Sequence, residues 1–217
     1  MSPENLQLIY KGALDTLYMT TVSLLLSYLV GLPLGIALVA TEKGHILESP
    51  VFNRVLGAIV NAARSVPFII LMVLVIPVTR VIVGTSIGTT AAIVPLVIGA
   101  IPFVGRMVET SLKEIDRGII EAALAMGASP GQIIRKVLLP EVTPSLVLGG
   151  TITFITLIGY SAMAGFIGGG GLGDIAVRYG YYRYETGIML ATVVLLIIMV
   201  QVIQSLGNYI SHKINKK

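Results

Sequence analysis

Residues 189–200 read MLATVVLLIIMV and lie inside the uncharged segment 187–206. A helix needs roughly 20 mainly apolar residues to cross the hydrocarbon core of a bilayer. The segment has that length, and it lacks the alternation of polar and apolar residues that a membrane β-strand shows. It therefore predicts a membrane-spanning α-helix, and it indicates an all-helical class for the chain.

The composition of the whole chain agrees with this class. Of 217 residues, 55% are hydrophobic and 12% are charged, whereas soluble domains carry about 25% charged residues. Disorder would require low hydrophobicity and high charge. There is no cysteine, and His45 and His212 lie far apart, so we expect no disulfide, no metal site and no bound cofactor. The net charge of +4 is too small to indicate a nucleic-acid partner.

Five segments are predicted to span the membrane: 14–40, 56–78, 87–107, 145–167 and 187–206. The start of the chain lacks the basic region of a cleaved signal peptide, so we expect the first span to be retained. Asn61, Arg64 and Pro67 interrupt the second span. We expect Arg64 near its cytoplasmic end, where the side chain can snorkel to the interface. Arg106 and Glu109 are expected to form a local ion pair.

The distribution of basic residues predicts the orientation. Five spans place residues 41–55, 108–144 and 207–217 on one side and residues 1–13, 79–86 and 168–186 on the other. The first side carries Lys43, Arg54, Lys113, Arg117, Arg135, Lys136, Lys213, Lys216 and Lys217, and the second carries Lys11, Arg80, Arg178 and Arg183. Cytoplasmic loops are enriched in Lys and Arg. We therefore expect an external N-terminal segment, 1–13, and a basic cytoplasmic tail, 207–217.

The longest cytoplasmic segment is predicted to fold as a helical hairpin over residues 116–140. Ser129, Pro130 and Gln132 form a capping box with proline at the first helical position, and Gly127 suits the left-handed residue that ends the preceding helix. We expect Pro140 and Pro144 to end the second helix before the fourth span begins.

The same segment carries a motif. Glu121-Ala122-Ala123 is followed after three residues by Gly127 and after nine more by Val137-Leu138-Leu139-Pro140. This spacing resembles the EAA motif of permease subunits of ABC importers, with Val137 in place of the usual Ile. The resemblance implies a type I importer permease fold and a coupling helix that docks on a separate ATPase. The implied coupling residues are Glu121, Ala122, Ala123, Ala125, Met126 and Gly127.

Further stretches resemble the methionine-transporting branch of that family, including residues 64–70, 81–88, 159–163 and 165–173. The resemblance implies a permease of the bacterial inner membrane that imports an amino acid, methionine, by alternating access. Its implied partners are a second copy of the chain, two ATPase subunits that bind ATP and Mg²⁺, and an external substrate-binding protein. Glu121 could pair with a basic residue of the ATPase or favour its own helix N-terminus.

Polar residues in the fourth span form a candidate pathway. Thr153, Thr156, Tyr160 and Met163 recur at helical spacing, so one stripe facing a cavity is one interpretation. The other is that each Thr hydroxyl bonds the preceding turn of its own helix.

Three further interpretations concern glycines and alternative functions. Gly31 and Gly35 indicate a close helix contact, and a kink at Pro33 between them is the alternative interpretation. Gly168, Gly170 and Gly173 spell G-x-G-x-x-G, but a span precedes them instead of a βαβ strand, so we expect a flexible external loop. A permease for another amino acid or a quaternary amine, or a stand-alone secondary transporter, remains an alternative. The chain lacks the residue patterns of an intramembrane enzyme, so we expect no catalytic residues.

Overall fold

The computed structural model describes residues 3–215, and across these residues the chain is helical with no strand. The predicted all-α fold is confirmed. The helices are α1 (Pro3–Ala40), α2 (Pro50–Arg64), α3 (Phe68–Leu74), α4 (Ile76–Val83), α5 (Thr89–Lys113), α6 (Arg117–Ala125), α7 (Pro130–Ile133), α8 (Leu139–Gly165), α9 (Gly171–Ile175) and α10 (Thr186–Ile214). The predicted terminal segments also include Met1, Ser2, Lys216 and Lys217, which lie outside the described residues.

Four helical segments of the described chain are long and apolar enough to cross a membrane: α1, α5, Pro130–Gly165 and α10. A fifth crossing requires α2 and α3 together, and these two helices are bent by 99° relative to each other. The predicted second span, 56–78, is therefore broken within the part that Asn61, Arg64 and Pro67 interrupt. Pro67 supplies the reason, because proline lacks an N–H and disfavours helical conformation in the residue before it.

The first and last spanning helices are longer than hydropathy predicts. α1 starts at Pro3, so residues 3–13 continue the helix, and α10 reaches Ile214, so most of the predicted tail is helical. Ile9 is buried in a cluster with Leu172 and Met199. Ser211 on α10 donates a hydrogen bond to the carbonyl of Pro144, with 3.0 Å between oxygen atoms. These contacts stabilise the start of α1 and the end of α10. The mixed polar and apolar composition of both segments does not predict a membrane span.

The centre of the bundle is the contact between α1 and α5. A side chain at Gly31 would collide with Val104, and one at Gly35 would collide with Val108 and with the carbonyl of Gly105. The predicted close contact through Gly31 and Gly35 is therefore confirmed, and two glycines allow the helix backbones to approach.

The helix that follows the hairpin continues into the fourth span without a break. α7 passes through a π-helical turn, Ile134–Leu138, directly into α8. The prediction that Pro140 and Pro144 end this helix is wrong. Pro140 lies in the first turn of α8, just after the widened π turn, where a missing N–H is tolerated. Pro144 is an interior proline, and membrane helices accommodate these through neighbouring groups.

The glycine-rich segment after α8 is packed, so the expectation of a flexible loop is wrong. The backbone N–H of Leu172 donates to Thr16 Oγ1 at 2.9 Å, and the N–H of Gly88 donates to the carbonyl of Gly168 at 2.9 Å. A side chain at Gly173 would collide with Ala162. These glycines permit close backbone contact. A glycine-rich sequence is compatible with a packed segment and with a flexible one, so the sequence alone does not distinguish them.

Candidate functional site

The hairpin of α6 and α7 forms as the sequence predicts. The Asp116 carboxylate accepts a hydrogen bond from the N–H of Gly118 and caps α6. Gly127 ends the turn after α6 with φ +78°, in the left-handed region. The N–H of Ser129 donates to Gln132 Oε1 at 2.9 Å, which completes the capping box of α7. Local interactions therefore determine the shape of this hairpin.

One side of the hairpin is exposed. We call it the exposed hairpin face and define it as Glu121, Ala122, Ala125, Met126 and Gly127, all of which are exposed. Met126 has 81% of its surface exposed. The face combines three small residues with one flexible thioether, a surface that allows another protein to approach the helix backbone closely.

Ala123 lies on the other side of α6. It is 3% exposed and belongs to a cluster with Ile120, Ile133 and Leu138. Ala123 therefore lies on the side of α6 that packs on the bundle and not on the exposed hairpin face, and its predicted coupling role stays a prediction. The spacing of Ile120 and Ala123, three residues apart, is the signal that indicates a buried helix side.

The same cluster anchors the hairpin in the bundle. Val39 of α1 and Val104, Val108 and Leu112 of α5 are buried members of it, together with the hairpin residues. Close-packed interiors transmit displacement because they deform little. A force on the exposed hairpin face therefore reaches α1 and α5 directly.

A histidine lies beside the hairpin. His45, in the loop 41–49, lines a cavity of about 120 Å³ together with Arg117 and Glu121. Burial lowers the pKa of His45 below its ordinary value, and the charges of Arg117 and Lys113 lower it further, against an opposing effect of Glu42. Nδ1 of His45 has no hydrogen-bond partner among residues 3–215. Protonation of His45 would therefore place an unfavourable charge next to the hairpin.

An ion-pair network connects α2, α5 and the loop after α1. The predicted pair is confirmed, with 2.6 Å between Arg106 Nη1 and Glu109 Oε2. Lys113 Nζ lies 3.0 Å from Glu109 Oε1 and 3.2 Å from Glu42 Oε2. Nη2 of Arg106 donates to Asn61 Oδ1 at 2.9 Å. Glu109 is buried, so it fixes the position of two cations on neighbouring turns.

The four candidate pathway residues do not share one environment. Thr153 is buried, and its hydroxyl donates to the carbonyl of Gly149; the Thr156 hydroxyl donates to the carbonyl of Ile152. Both hydroxyls therefore bond their own helix. Met163 is 42% exposed. Tyr160 lines a cavity together with residues of the second span.

That cavity lies at the break between α2 and α3 and has a volume of about 230 Å³. Its lining residues are Ala63, Arg64, Val66, Phe68, Leu71, Gly99, Phe103 and Tyr160. The aromatic rings of Phe68 and Tyr160 are stacked. Glycine at position 99 leaves room beside Phe68 and Leu71.

Arg64, the last residue of α2, is exposed and shares the cavity with Gly99. Gly99 lies about 15 Å from one end of α5 and about 21 Å from the other at 1.5 Å per residue. The position of Arg64 near the cytoplasmic end of the second span stays a prediction.

Comparison with known proteins identifies the chain. Residues 31–216 match the family described as "Binding-protein-dependent transport system inner membrane component". The chain belongs to this family. The permease is therefore a transport component of the inner membrane and not an enzyme.

The permease has closely similar relatives. It is 54% identical over 213 residues to the "Probable D-methionine transport system permease protein MetI" of Vibrio cholerae, covering 98% of this chain and 95% of that protein. It is 56% identical over 165 residues to the "D-methionine transport system permease protein MetI" of Escherichia coli K12, covering 76% of each.

Solved structures share the permease fold. A chain of the structure titled "Inward facing conformations of the MetNI methionine ABC transporter" matches with a TM-score of 0.98 and 52% identity over the full length of both chains. An amino acid ABC transporter crystallised with histidines matches with a TM-score of 0.78 and 20% identity. It covers 97% of this chain and 95% of its own, and at that identity it shows the fold alone. The type I importer permease fold is confirmed.

Proposed function

We propose that the permease imports methionine across the bacterial inner membrane, driven by ATP that separate ATPase subunits hydrolyse. The names of relatives at 54% and 56% identity, and the methionine transporter whose chain matches over its full length, support this substrate. ATP and Mg²⁺ bind to the ATPase, and the permease itself holds no cofactor.

The exposed hairpin face is the observation that carries the coupling role. Ala122, Ala125 and Gly127 allow a groove on the ATPase to approach the backbone of α6, while Met126 fills space at the tip. Glu121 adds a charge that can pair with a basic residue of the ATPase. The buried side of the hairpin packs on α1 and α5, so displacement at the face moves the spanning helices.

The assembly contains two copies of the permease, two ATPase subunits and an external substrate-binding protein. Five membrane crossings are few to enclose a transport path within one chain. A path at the two-fold interface is lined by helices of both copies. The N-terminus is external and the hairpin cytoplasmic, because basic residues are concentrated on the hairpin side. Thr153, Thr156, Tyr160 and Met163 are the proposed contributors of α8 to the path.

Reconstitution tests this function. The permease, its ATPase and its binding protein are placed in proteoliposomes, and uptake of labelled methionine is measured with and without ATP. We expect ATP-dependent uptake that unlabelled methionine abolishes. Uptake without the ATPase would indicate a secondary transporter, and stronger competition by another amino acid or a quaternary amine would indicate a different substrate.

A further inference from the structure

Arg64 is a cation of the predicted second span that residues 3–215 leave without a partner. Among residues 3–215 its guanidinium makes no hydrogen bond and no ion pair, whereas Arg106, one turn nearer the hairpin, makes both. No acidic residue of the described chain lines the cavity that Arg64 shares with Gly99. Arg64 is exposed, and an arginine within a spanning segment often marks a substrate or ion pathway. Its guanidinium is therefore free to pair with an anion from outside the chain.

The other walls of the cavity suit an apolar group. Phe68, Leu71 and Phe103 supply apolar surface, and the ring of Tyr160 lies parallel to that of Phe68. The Tyr160 hydroxyl also has no hydrogen-bond partner among the described residues. Binding sites for small molecules typically combine an apolar lining with a few converging polar groups. This cavity contains both.

The broken helix makes the cavity possible. Non-helical backbone at membrane depth occurs where it is buried in protein or lines a cavity, and residues 65–67 form such a segment between α2 and α3. Transporters place substrate sites at discontinuous helices near the middle of the bilayer. α2 and α3 are bent by 99° relative to each other. Arg64, the last residue of α2, lines the cavity beside this break.

We propose that this cavity is a binding site for a small amino acid during transport, in which Arg64 pairs with the α-carboxylate and Phe68, Tyr160 and Phe103 contact an apolar side chain. This proposal rests on the proposed import function. The guanidinium offers two parallel N–H groups that match a carboxylate. Aromatic rings also make favourable contacts with a thioether.

Protection of a single cysteine tests the site directly, because the chain has no cysteine of its own. Val66→Cys places a thiol in the cavity lining, and Leu25→Cys places one in an apolar groove between α1 and α8 as a control. Labelling by a membrane-permeant maleimide is measured on the assembled complex, with L-methionine or with methioninamide, which lacks the carboxylate. We expect L-methionine to slow labelling of Val66→Cys only, and methioninamide to slow neither.

The same assay is repeated with Arg64 variants. Arg64→Gln should raise the methionine concentration for half protection by about tenfold or more, because a charge-assisted hydrogen bond is lost. Arg64→Lys should recover part of the protection. Arg54→Gln, on the same helix but outside the cavity lining, should match the parent. Melting temperatures of the complexes show whether Arg64→Gln alters the fold.

Failure of the site and failure of the proposed function give different results. If the parent complex imports methionine but methionine protects neither cysteine, or protects Val66→Cys equally in Arg64→Gln, the site is overturned and the import function stands. If the parent imports a different amino acid, the comparison uses that amino acid and its amide. Equal slowing of Val66→Cys labelling by that amino acid and by its amide would then overturn the proposed site.

Discussion

The ring of Tyr160 on α8 lies parallel to the ring of Phe68 on α3, with 4.1 Å between centroids and 5° between planes. α8 continues without a break from the hairpin helix α7, and α3 is the helix that follows the break in the second span. One continuous helix therefore runs from the second arm of the hairpin, α7, to a wall of the cavity. Stacked rings of this kind contribute about 0.5–1.5 kcal/mol beyond their buried area.

Two neighbouring alanines of the hairpin should respond differently to the same substitution. Ala122→Trp should leave the permease stable but prevent the ATPase from co-purifying, because Ala122 is exposed. Ala123→Trp should destabilise the permease itself by about 1–3 kcal/mol, because a larger side chain overpacks a buried site. Thermal stability of the free permease and recovery of the ATPase are the two measurements. Normal ATPase recovery with Ala122→Trp would contradict docking at this face.

The turn of the hairpin should be sensitive to any side chain at Gly127. A side chain there meets no neighbour within 4 Å, so the cost of Gly127→Ala is backbone strain at positive φ, about 1–2 kcal/mol. Gly131 also has open space around it but is helical, so Gly131→Ala is the matched control and should be neutral or slightly stabilising. The measurement is thermal stability together with ATP-dependent uptake. Equal stability of the two variants would show that the left-handed turn is not required.

The two glutamates that contact Lys113 should differ in importance. Glu109→Gln should lower stability by about 3 kcal/mol, since it removes the carboxylate partner of Arg106 and Lys113 at a buried position. Glu42→Gln affects a half-exposed pair and should cost about 0–1 kcal/mol. Loss of helical circular dichroism on heating measures both. A larger loss for Glu42→Gln than for Glu109→Gln would be inconsistent with the burial of Glu109.

His45 should make stability depend on pH. Its folded-state pKa lies below the ordinary value of 6.5, so the unfolded chain takes up the proton at a higher pH than the folded chain. The stability contributed by neutral His45 is complete above about pH 6.5 and is lost as the pH falls through the lowered folded-state pKa. His45→Gln should flatten the dependence of melting temperature on pH over this window. His212→Gln, at an exposed site, is the control and should retain the slope of the parent.

Labelling from one side of the membrane should establish the orientation. Gly131→Cys lies in the hairpin and Thr85→Cys in the loop after α4. An impermeant maleimide added to intact cells should label Thr85→Cys alone, and Gly131→Cys should react only after the membrane is permeabilised. The reverse pattern would place the hairpin outside and exclude its proposed contact with the ATPase.

The sequence predicts those features that depend on neighbouring residues. Gly127, Ser129 and Gln132 determine the hairpin through local hydrogen bonds and backbone conformation, and the hydropathy of the spans reflects only their own composition. The EAA spacing also lies within one short segment. Each of these features can be predicted without knowledge of the rest of the fold.

Features that depend on contacts between distant segments are not predicted. Ile9 extends α1 because it packs on Leu172 and Met199, and no local signal indicates that contact. The burial of Ala123 depends on which side of α6 faces α1 and α5. The cavity that Arg64 and Tyr160 line depends on a bend between α2 and α3 whose angle residues 65–67 do not specify.

The π turn at Ile134–Leu138 accommodates one extra residue between the hairpin and α8. An α-helix rotates by about 100° per residue, and a π turn holds one residue more than an α turn. Deleting one residue within the π turn would therefore restore a regular helix and leave the rotation of α8 nearly unchanged. Deleting one residue from the first turn of α8 would instead turn the side chains that follow by about 100° relative to the hairpin. Tyr160 would then leave Phe68, and Ser145 would lose its 2.8 Å hydrogen bond with Ser111. Single deletions should therefore be tolerated within Ile134–Leu138 and not at the start of α8.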